Sequence, residues 1–382
     1  APLKYQYPMT IHAKPAISKT GSKPKVRLIY GVPKVHVLAE AMFFWPVFNY
    51  HKYCPREATP LLWPYVTILG GWHRLNTDLC KLYFKTYITV DWSGFDFHAL
   101  FDMIIDLKND DRTMFDFNNG YIPTNDYPNS KANPQHFQNL WDWLVQSGNA
   151  LPMKMPDGSV WIRLHRGIPS GLYTTQWLDS HYNLVMLLTI LSKMEIEIEN
   201  LFIKIQGDDS ISAFRVYIPR DQHKAFQLQF SHFAKYYFDA VARPEKTEIT
   251  NDAQHLEVLG YRNSNGQPYR DYHKLLAQLL RPKSRKPTYE TLMARAIGIT
   301  YADCEQNKQV RRVCEDVYNY LHSLGYRPDP AGLTNLPFGI EEGELELPLD
   351  HFPTALEITR YLRSFHQFNE ENRNRYWPDH FL

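Results

Sequence analysis

Two short acidic stretches carry the residues best suited to chemistry. In VDWSGFDF, Asp91 ends a strand-like run and Asp96 follows five residues later. In KIQGDDSISAF, Asp208 and Asp209 follow Gly207 between two alternating apolar arms. Carboxylates brought together from a strand end and a neighbouring hairpin tip would repel one another strongly unless hard cations neutralised them. Two Mg²⁺ ions about 3.5–4 Å apart are the usual answer in in-line phosphoryl transfer, with Mn²⁺ the alternative. Read singly, each stretch has a plainer explanation. Asp91 fits a strand-end cap, and Gly-Asp-Asp fits an ordinary turn, because glycine supplies φ > 0 and Asp tolerates it.

A third stretch, PSGLYTTQWLDSHYNLV, places Thr175, Asp179 and Asn183 every four residues behind Ser170 and Gly171. That spacing stacks them on one stripe of a helix, opposite the apolar Leu178, Val185 and Leu188. On a buried helix such a stripe needs partners, which a nucleotide ribose would supply; facing water it needs none. Upstream, SKPKVRLIYGVPK sets Lys23, Lys25 and Arg27 on one face of a strand, fit for a triphosphate or for a solvated edge. Lys246, in RPEKTEI, follows the hairpin where a general acid for a pyrophosphate leaving group could stand, as could any surface lysine.

The elements that must carry these residues are legible in outline. Residues 1–26 are Pro- and Lys-rich and read as irregular. VRLIYGV (26–32) and TYITVDW (86–92) read as strands, and HVLAEAMFFWPVF (36–48) as a helix up to Pro46. The Asn- and Asp-rich run 109–134 reads as loop. Ser170 and Gly171 open a long helix that reaches about Lys193, and the Asp-bearing hairpin follows. A helix near 221–240 and short strands near 256–262 and 269–272 come next, then helices over 289–302, 306–324 and 354–369.

Composition narrows the function classes. At 382 residues the chain can build two or three lobes. A net charge of +1 leaves no global field to attract nucleic acid, so any such contact needs a local basic patch. Cys54, Cys80, Cys304 and Cys314 form no CxxC pair and read as reduced thiols. The histidines make no HExxH arrangement, so a zinc hydrolase has no support. The longest apolar run, LVMLLTIL (184–191), is too short to span a bilayer. The opening APLKYQYPMTIHAKP has no signal-peptide shape and starts without Met.

In chain order the elements are a basic strand, DxxxxD, SGxxxT with its polar stripe, a GDD hairpin, and a lysine followed by LEVLGY. Together they resemble the palm of viral RNA-dependent RNA polymerases over about residues 20–325. DWSGFD, GIPSGLYTTQWLDSHYN, GDDS, PEKT, LGYRNSNGQPYRD and ARAIGITYA are similar to the polymerases of partitiviruses and their picobirnavirus-like relatives, small double-stranded RNA viruses. The resemblance implies an α+β right hand with an antiparallel palm sheet. Fingers would span 1–85, palm 86–106 and 166–275, a fingers insertion 107–165, and a helical thumb 276–382. The early Asp91 and the missing Met give the expectation that the N-terminal fingers are incomplete.

The resemblance also implies RNA synthesis from ribonucleoside triphosphates on an RNA template. Asp91 and Asp208 would be the principal ligands of two Mg²⁺ ions, with Asp209 assisting. Asp96, Thr175 and either Asp179 or Asn183 would recognise the ribose; Asp179 departs from the Asn that many plus-strand virus enzymes carry. Ser170 and Gly171 would line the nucleotide site, and Lys25 and Arg27 would hold the triphosphate. Lys246 would donate the proton, and LGYRNSNGQPYR would position the product 3′ end. Partners would be RNA template and product and the nucleotides, with viral capsid protein a further candidate and no membrane; the location would be virion and host cytoplasm. A reverse transcriptase would share the metal chemistry, yet it usually carries an aromatic residue near position 96 and a different pair before its two aspartates. A catalytically silent RNA-binding protein would gain nothing from keeping three costly carboxylates together.

Overall fold

The computed structural model describes residues 7–16, 21, 25–81, 83–119, 128–129, 131, 133–243, 247–281, 287–334, 336 and 347–364. The chain divides into two compact units, Ala1–Leu61 with Lys85–Asn251 and Leu62–Phe84 with Asp252–Asn369. In chain order the elements begin with β1 (Met9–Ala16), β2 (Lys25–Gly31), α1 (Lys34–Tyr53), α2 (Gly71–Leu79), β3 (Thr86–Thr89), α3 (Phe95–His98), α4 (Phe101–Arg112) and α5 (Pro134–Ala150). They continue through β4 (Met153–Lys154), β5 (Val160–Trp161), α6 (Thr175–Lys193), β6 (Phe202–Gln206), β7 (Asp209–Phe214), α7 (His223–Phe238) and β8 (Glu248–Thr250). The remainder are β9 (Glu257–Val258), β10 (Tyr261–Ser264), β11 (Gln267–Tyr269), α8 (Tyr272–Leu280), α9 (Tyr289–Asp303), α10 (Lys308–Ser323) and α11 (Ala355–Leu362).

The first unit is built on an antiparallel sheet of order β6-β7-β3-β8. All four residues of β3 are buried, which is why TYIT reads as continuous β-branched and aromatic sequence without polar alternation. Helix α6 lies against this sheet: its Met186, Leu187, Ile190 and Leu191 join Ile88, Ile205 and Phe214 in one core. Burying these side chains drives the assembly, at roughly 25 cal/mol per Å² of apolar surface.

A second sheet, of order β2-β1-β4-β5, overturns the irregular reading of the N-terminal stretch. Strand β1 pairs with β2 along its length, from Thr10 opposite Gly31 to Ala16 opposite Lys25. The sequence does alternate there, with Met9 and Ile11 buried and Thr10 and His12 exposed. Pro15 and the neighbouring lysines masked that period. Helix α1 also corrects an expectation, because it runs through Pro46 to Tyr53. An interior proline costs about 3 kcal/mol. Here tertiary packing outweighs that cost: Phe43 and Phe44 of α1 sit in an aromatic cluster with Phe115, Phe117, Trp141 and Trp177.

Three boundaries also shift. Helix α6 starts at Thr175, so Ser170 and Gly171 belong to the preceding turn. Within 109–134, α4 extends to Arg112 and α5 begins at Pro134 under an Asn133 cap. Helix α11 ends at Leu362, and the rest of the expected 354–369 helix falls partly outside the described residues. The second unit centres on α9, whose residues from Met293 to Asp303 are all buried. The Tyr261 hydroxyl of β10 donates to the Ala302 carbonyl of α9 at 2.9 Å. The buried Arg74 guanidinium of α2 donates to the carbonyls of Leu69 (3.0 Å) and Ser364 (3.1 Å).

Candidate active site

The two central strands of the first sheet bring the acidic stretches to one end. In the β3–β7 register Thr86 faces Phe214 and Thr89 faces Ile211. The pairing ends there, two residues before Asp91 on one strand and two after Asp209 on the other. The hairpin closes as its alternation suggested, with one adjustment: Asp209 pairs with Gln206 as the first residue of β7, leaving Gly207 and Asp208 as the two-residue turn. Gly207 takes a φ of 63°, the left-handed value such turns demand.

Helix α6 holds that turn by side chains. The Asn183 carboxamide donates to the carbonyls of Gly207 and Asp208, each at 3.0 Å, and accepts from the Trp92 indole at 3.1 Å. Asn183 is fully buried. One turn earlier, the Ser180 hydroxyl accepts from the Gly207 N–H at 2.8 Å and donates to the Gln176 carbonyl. Asp179 is also buried, and its Oδ1 has no hydrogen-bond partner. Burial holds its carboxyl well above the ordinary range, and the charges of Asp96 and Asp208 push the same way. The stripe that the spacing drew as one polar face therefore has two functions: Asn183 is committed to holding the turn, while Asp179 points an unmatched oxygen among acids.

Asp208 is solvent-exposed at the tip. Its carboxyl is raised by desolvation, then by Asp96 and, more weakly, Asp91, while Arg27 and a backbone contact draw it down. Solvent at an exposed tip limits the burial contribution, so the neighbouring carboxylates are the firmer cause. Asp96 sits in the first turn of α3, where its carbonyl accepts from the Ile168 N–H at 2.8 Å. Its carboxylate accepts from the Ser170 hydroxyl. Thr175 serves the turn locally: its hydroxyl accepts from the Gly171 N–H at 3.3 Å and lies 3.0 Å from the Pro169 carbonyl. Gly171 is required for close approach, since a Cβ there would stand 2.0 Å from the Tyr30 carbonyl oxygen.

Arg27 is exposed on β2 and its charge reaches Asp208. Lys25 opens the same strand two residues earlier, and its side chain lies outside the described residues. Lys23 and Lys246 lie outside the described residues. Sequence reasoning missed Ser180, Trp92 and Arg243. Arg243 donates its N–H to the Asp91 carbonyl at 2.9 Å and sets its guanidinium 3.3 Å from the Asp91 carboxylate. Ser180 had a signal, since it stands three residues before Asn183 on α6; Arg243 had none, because its pairing depends on a crossing 152 residues along the chain (243 less 91). Among the described residues, no group of three or more His, Cys, Asp or Glu side chains is already arranged to hold an ion.

A four-stranded antiparallel sheet with carboxylates at one end of its central strands, backed by a helix that grips the hairpin tip, defines a right-hand polymerase palm. The family model for viral RNA-dependent RNA polymerase matches residues 12–302. The chain belongs to that family. It is 43% identical to the RNA-directed RNA polymerase of White clover cryptic virus 1, over 98% of this chain and 62% of that protein. It is 28% identical to the RNA-directed RNA polymerase of Atkinsonella hypoxylon virus, over 91% of this chain and 56% of that protein. The chain thus spans about three-fifths of the length of these relatives. Its fold is similar to that of the RNA-dependent RNA polymerase of a human picobirnavirus, with a TM-score of 0.57 at 12% identity, covering 86% of this chain and 57% of the other. The resemblance read from the sequence is borne out, as is the α+β right-hand fold.

Proposed function

We propose that this chain carries the catalytic core for template-directed RNA synthesis from ribonucleoside triphosphates. The observation that carries the reading is the group of carboxylates at one end of the β3–β7 pairing, where the charges of Asp96 and Asp91 act on Asp208. Asp91 and Asp208, with Asp209 assisting, would hold two Mg²⁺ ions, Mn²⁺ being the alternative. The donor set fits: hard carboxylate oxygens, with Asp208 raised by desolvation and by the charges of Asp96 and Asp91, and an unmatched oxygen on the nearby Asp179. Occupancy would require Asp91 to exchange its Arg243 partner for a cation. When bound, such ions would lower the cost of charge developing on the reacting phosphate.

The remaining work falls to protein groups. Arg27 and Lys25 would bind and orient the triphosphate from β2. Asp96, fixed by the Ser170 hydroxyl, would meet the ribose with Asp179, while Thr175, Ser170 and Gly171 shape that wall. With Asn183 engaged by the turn, Asp179 is the better candidate of the two for the sugar. Lys246, one residue before Thr247 and three after Arg243, keeps the proton-donor role on chain proximity. We assign palm to 86–106 and 166–275, fingers to 1–85 with the insertion 107–165, and thumb to 276–382. RNA template and product would be the macromolecular partners, with capsid protein a further one, in virion and host cytoplasm. Among the described residues no helix is long and apolar enough to cross a membrane.

Primer extension on an RNA template tests the reading directly. The parent chain should add ribonucleotides in preference to deoxyribonucleotides. Asp208→Asn should reduce addition at least about a thousandfold while its melting temperature stays level or rises, because one repelling charge is gone. Extension by Asp208→Asn near the parental rate would sink the assignment, and a parent that prefers deoxyribonucleotides would favour a reverse transcriptase.

A further inference from the structure

We propose that Glu40 is a positioning residue, a buried carboxylate on α1 that holds the 169–174 turn and thereby sets Ser170, Gly171 and Asp96 at the nucleotide site. The inference rests on the polymerase reading above. Glu40 is 3% exposed. Its Oε2 accepts from the backbone N–H of Tyr173 at 2.8 Å and of Thr174 at 3.3 Å, and its Oε1 accepts from the Thr174 hydroxyl at 2.8 Å. Thr174 stands at the N-cap of α6 but gives that helix no side-chain cap. Glu40, 134 residues earlier in the chain, supplies the negative charge and the acceptors that the helix start needs.

The opposite side of the turn is gripped as well. The Tyr30 N–H donates to the Ser170 carbonyl at 3.4 Å, and Gly171 packs onto the Tyr30 carbonyl without room for a side chain. Between these two holds, Ser170 donates its hydroxyl to Asp96. A shift of the turn would therefore move the residue that fixes Asp96.

The carboxylate is kept charged at some cost. Burial would raise Glu40, but His36, Lys108 and the Thr174 hydroxyl together bring it below the usual carboxylate range. His36 Nε2 stands 3.6 Å from Glu40 Oε1, an ion-pair distance. The buried Lys108 ammonium donates to the Leu144 carbonyl at 3.4 Å, and Gly148 leaves it space, since a Cβ there would lie 2.8 Å from Nζ. An apolar residue at position 40 would fill the same volume without that desolvation cost. What it would lose is the three-point hold on the turn.

Hydrogen exchange followed by mass spectrometry, with primer-extension kinetics beside it, tests the proposal. Glu40→Leu keeps much of the volume and removes the acceptors of all three hydrogen bonds. It should speed exchange across residues 170–175 by about tenfold or more, raise the nucleotide KM with RNA affinity unchanged, and narrow the preference for ribonucleotides. Thr174→Val should do the same more weakly. Asp111→Asn is the control, because Asp111 contacts α6 elsewhere, at the Trp177 indole (3.1 Å) and His181 (3.2 Å). It should lower the melting temperature without moving exchange at 170–175 or sugar preference.

Parental exchange at 170–175 in Glu40→Leu would overturn the proposal even if activity fell, and so would an equal disturbance by Asp111→Asn. If Glu40→Leu does not fold, a Thr174→Val protein with parental exchange and parental KM would overturn it. A parent chain that adds no nucleotide would remove the polymerase reading, while the exchange experiment would still decide whether Glu40 holds the turn.

Discussion

Asn183 makes three hydrogen bonds from full burial, and all three serve the Asp-bearing turn or its neighbour Trp92. Asn183→Leu would leave the Trp92 indole N–H without an acceptor and free two turn carbonyls that water can partly reach. Leaving such groups unmatched costs about 1–3 kcal/mol each when buried. We expect a loss of about 2–4 kcal/mol in urea unfolding, together with slower nucleotide addition at saturating nucleotide. A raised KM with unchanged kcat would instead place Asn183 against the substrate.

Two glycines show how a turn and a helix start impose different demands. Gly207 needs its backbone angle and nothing else, since its φ is 63° and a Cβ there would meet open space. Gly171 needs the space and not the angle, because the Tyr30 carbonyl stands where its Cβ would be. Gly207→Ala should therefore cost only about 1–2 kcal/mol. Gly171→Ala must push β2 away from the start of α6, so it should lose more stability than Gly207→Ala and most nucleotide addition. Thermal melts of the two variants side by side check the order, and a reversed order would mean that the β2 contact yields easily.

Two buried groups, one in each unit, should answer acid in opposite ways. In the first, burial lowers His51 from its ordinary 6.5 to about 4. A depressed histidine contributes stability that is present above the unfolded value and is lost as pH falls toward the folded one. In the second, burial raises Asp303 from its ordinary 3.8 to about 6, against hydrogen bonds from the Asn307 and Gln306 N–H groups. That contribution is present below the unfolded value and is lost as pH rises through the folded one. Between pH 6.5 and 4, acidification should therefore weaken the contribution of His51 to its surroundings and strengthen that of Asp303. Exchange rates corrected for intrinsic pH dependence, read peptide by peptide, will show this divergence. Asp303→Asn should flatten the response of its own surroundings only and stabilise them near neutral pH by up to about 3 kcal/mol. Parallel responses in the peptides around His51 and around Asp303 would contradict the assignment.

Local chemistry wrote much of this into the chain. Alternation around Gly207 announced the hairpin, the four-residue spacing from Thr175 to Asn183 announced a helix with a special stripe, and the order of the acidic stretches announced the family. These features depend on neighbours within a turn or two, so their periods survive in the sequence. Strand β1 was hidden because one proline and its flanking lysines broke a short alternation that pairing with β2 restores. The end of α1 was misplaced at Pro46 because the aromatic contacts that carry the helix onward, Phe48 with Tyr173 and Trp177, come from residues 125 or more positions later (173 less 48). The division of work between Asp179 and Asn183 was likewise beyond spacing: both occupy one stripe, and which one holds the turn depends on where Trp92 and Gly207 arrive. Glu40 and Arg243 lie farthest from any local signal. Each is an ordinary charged residue until the fold brings it to a partner more than a hundred residues away, Glu40 buried against backbone N–H groups and Arg243 partly exposed beside a carboxylate.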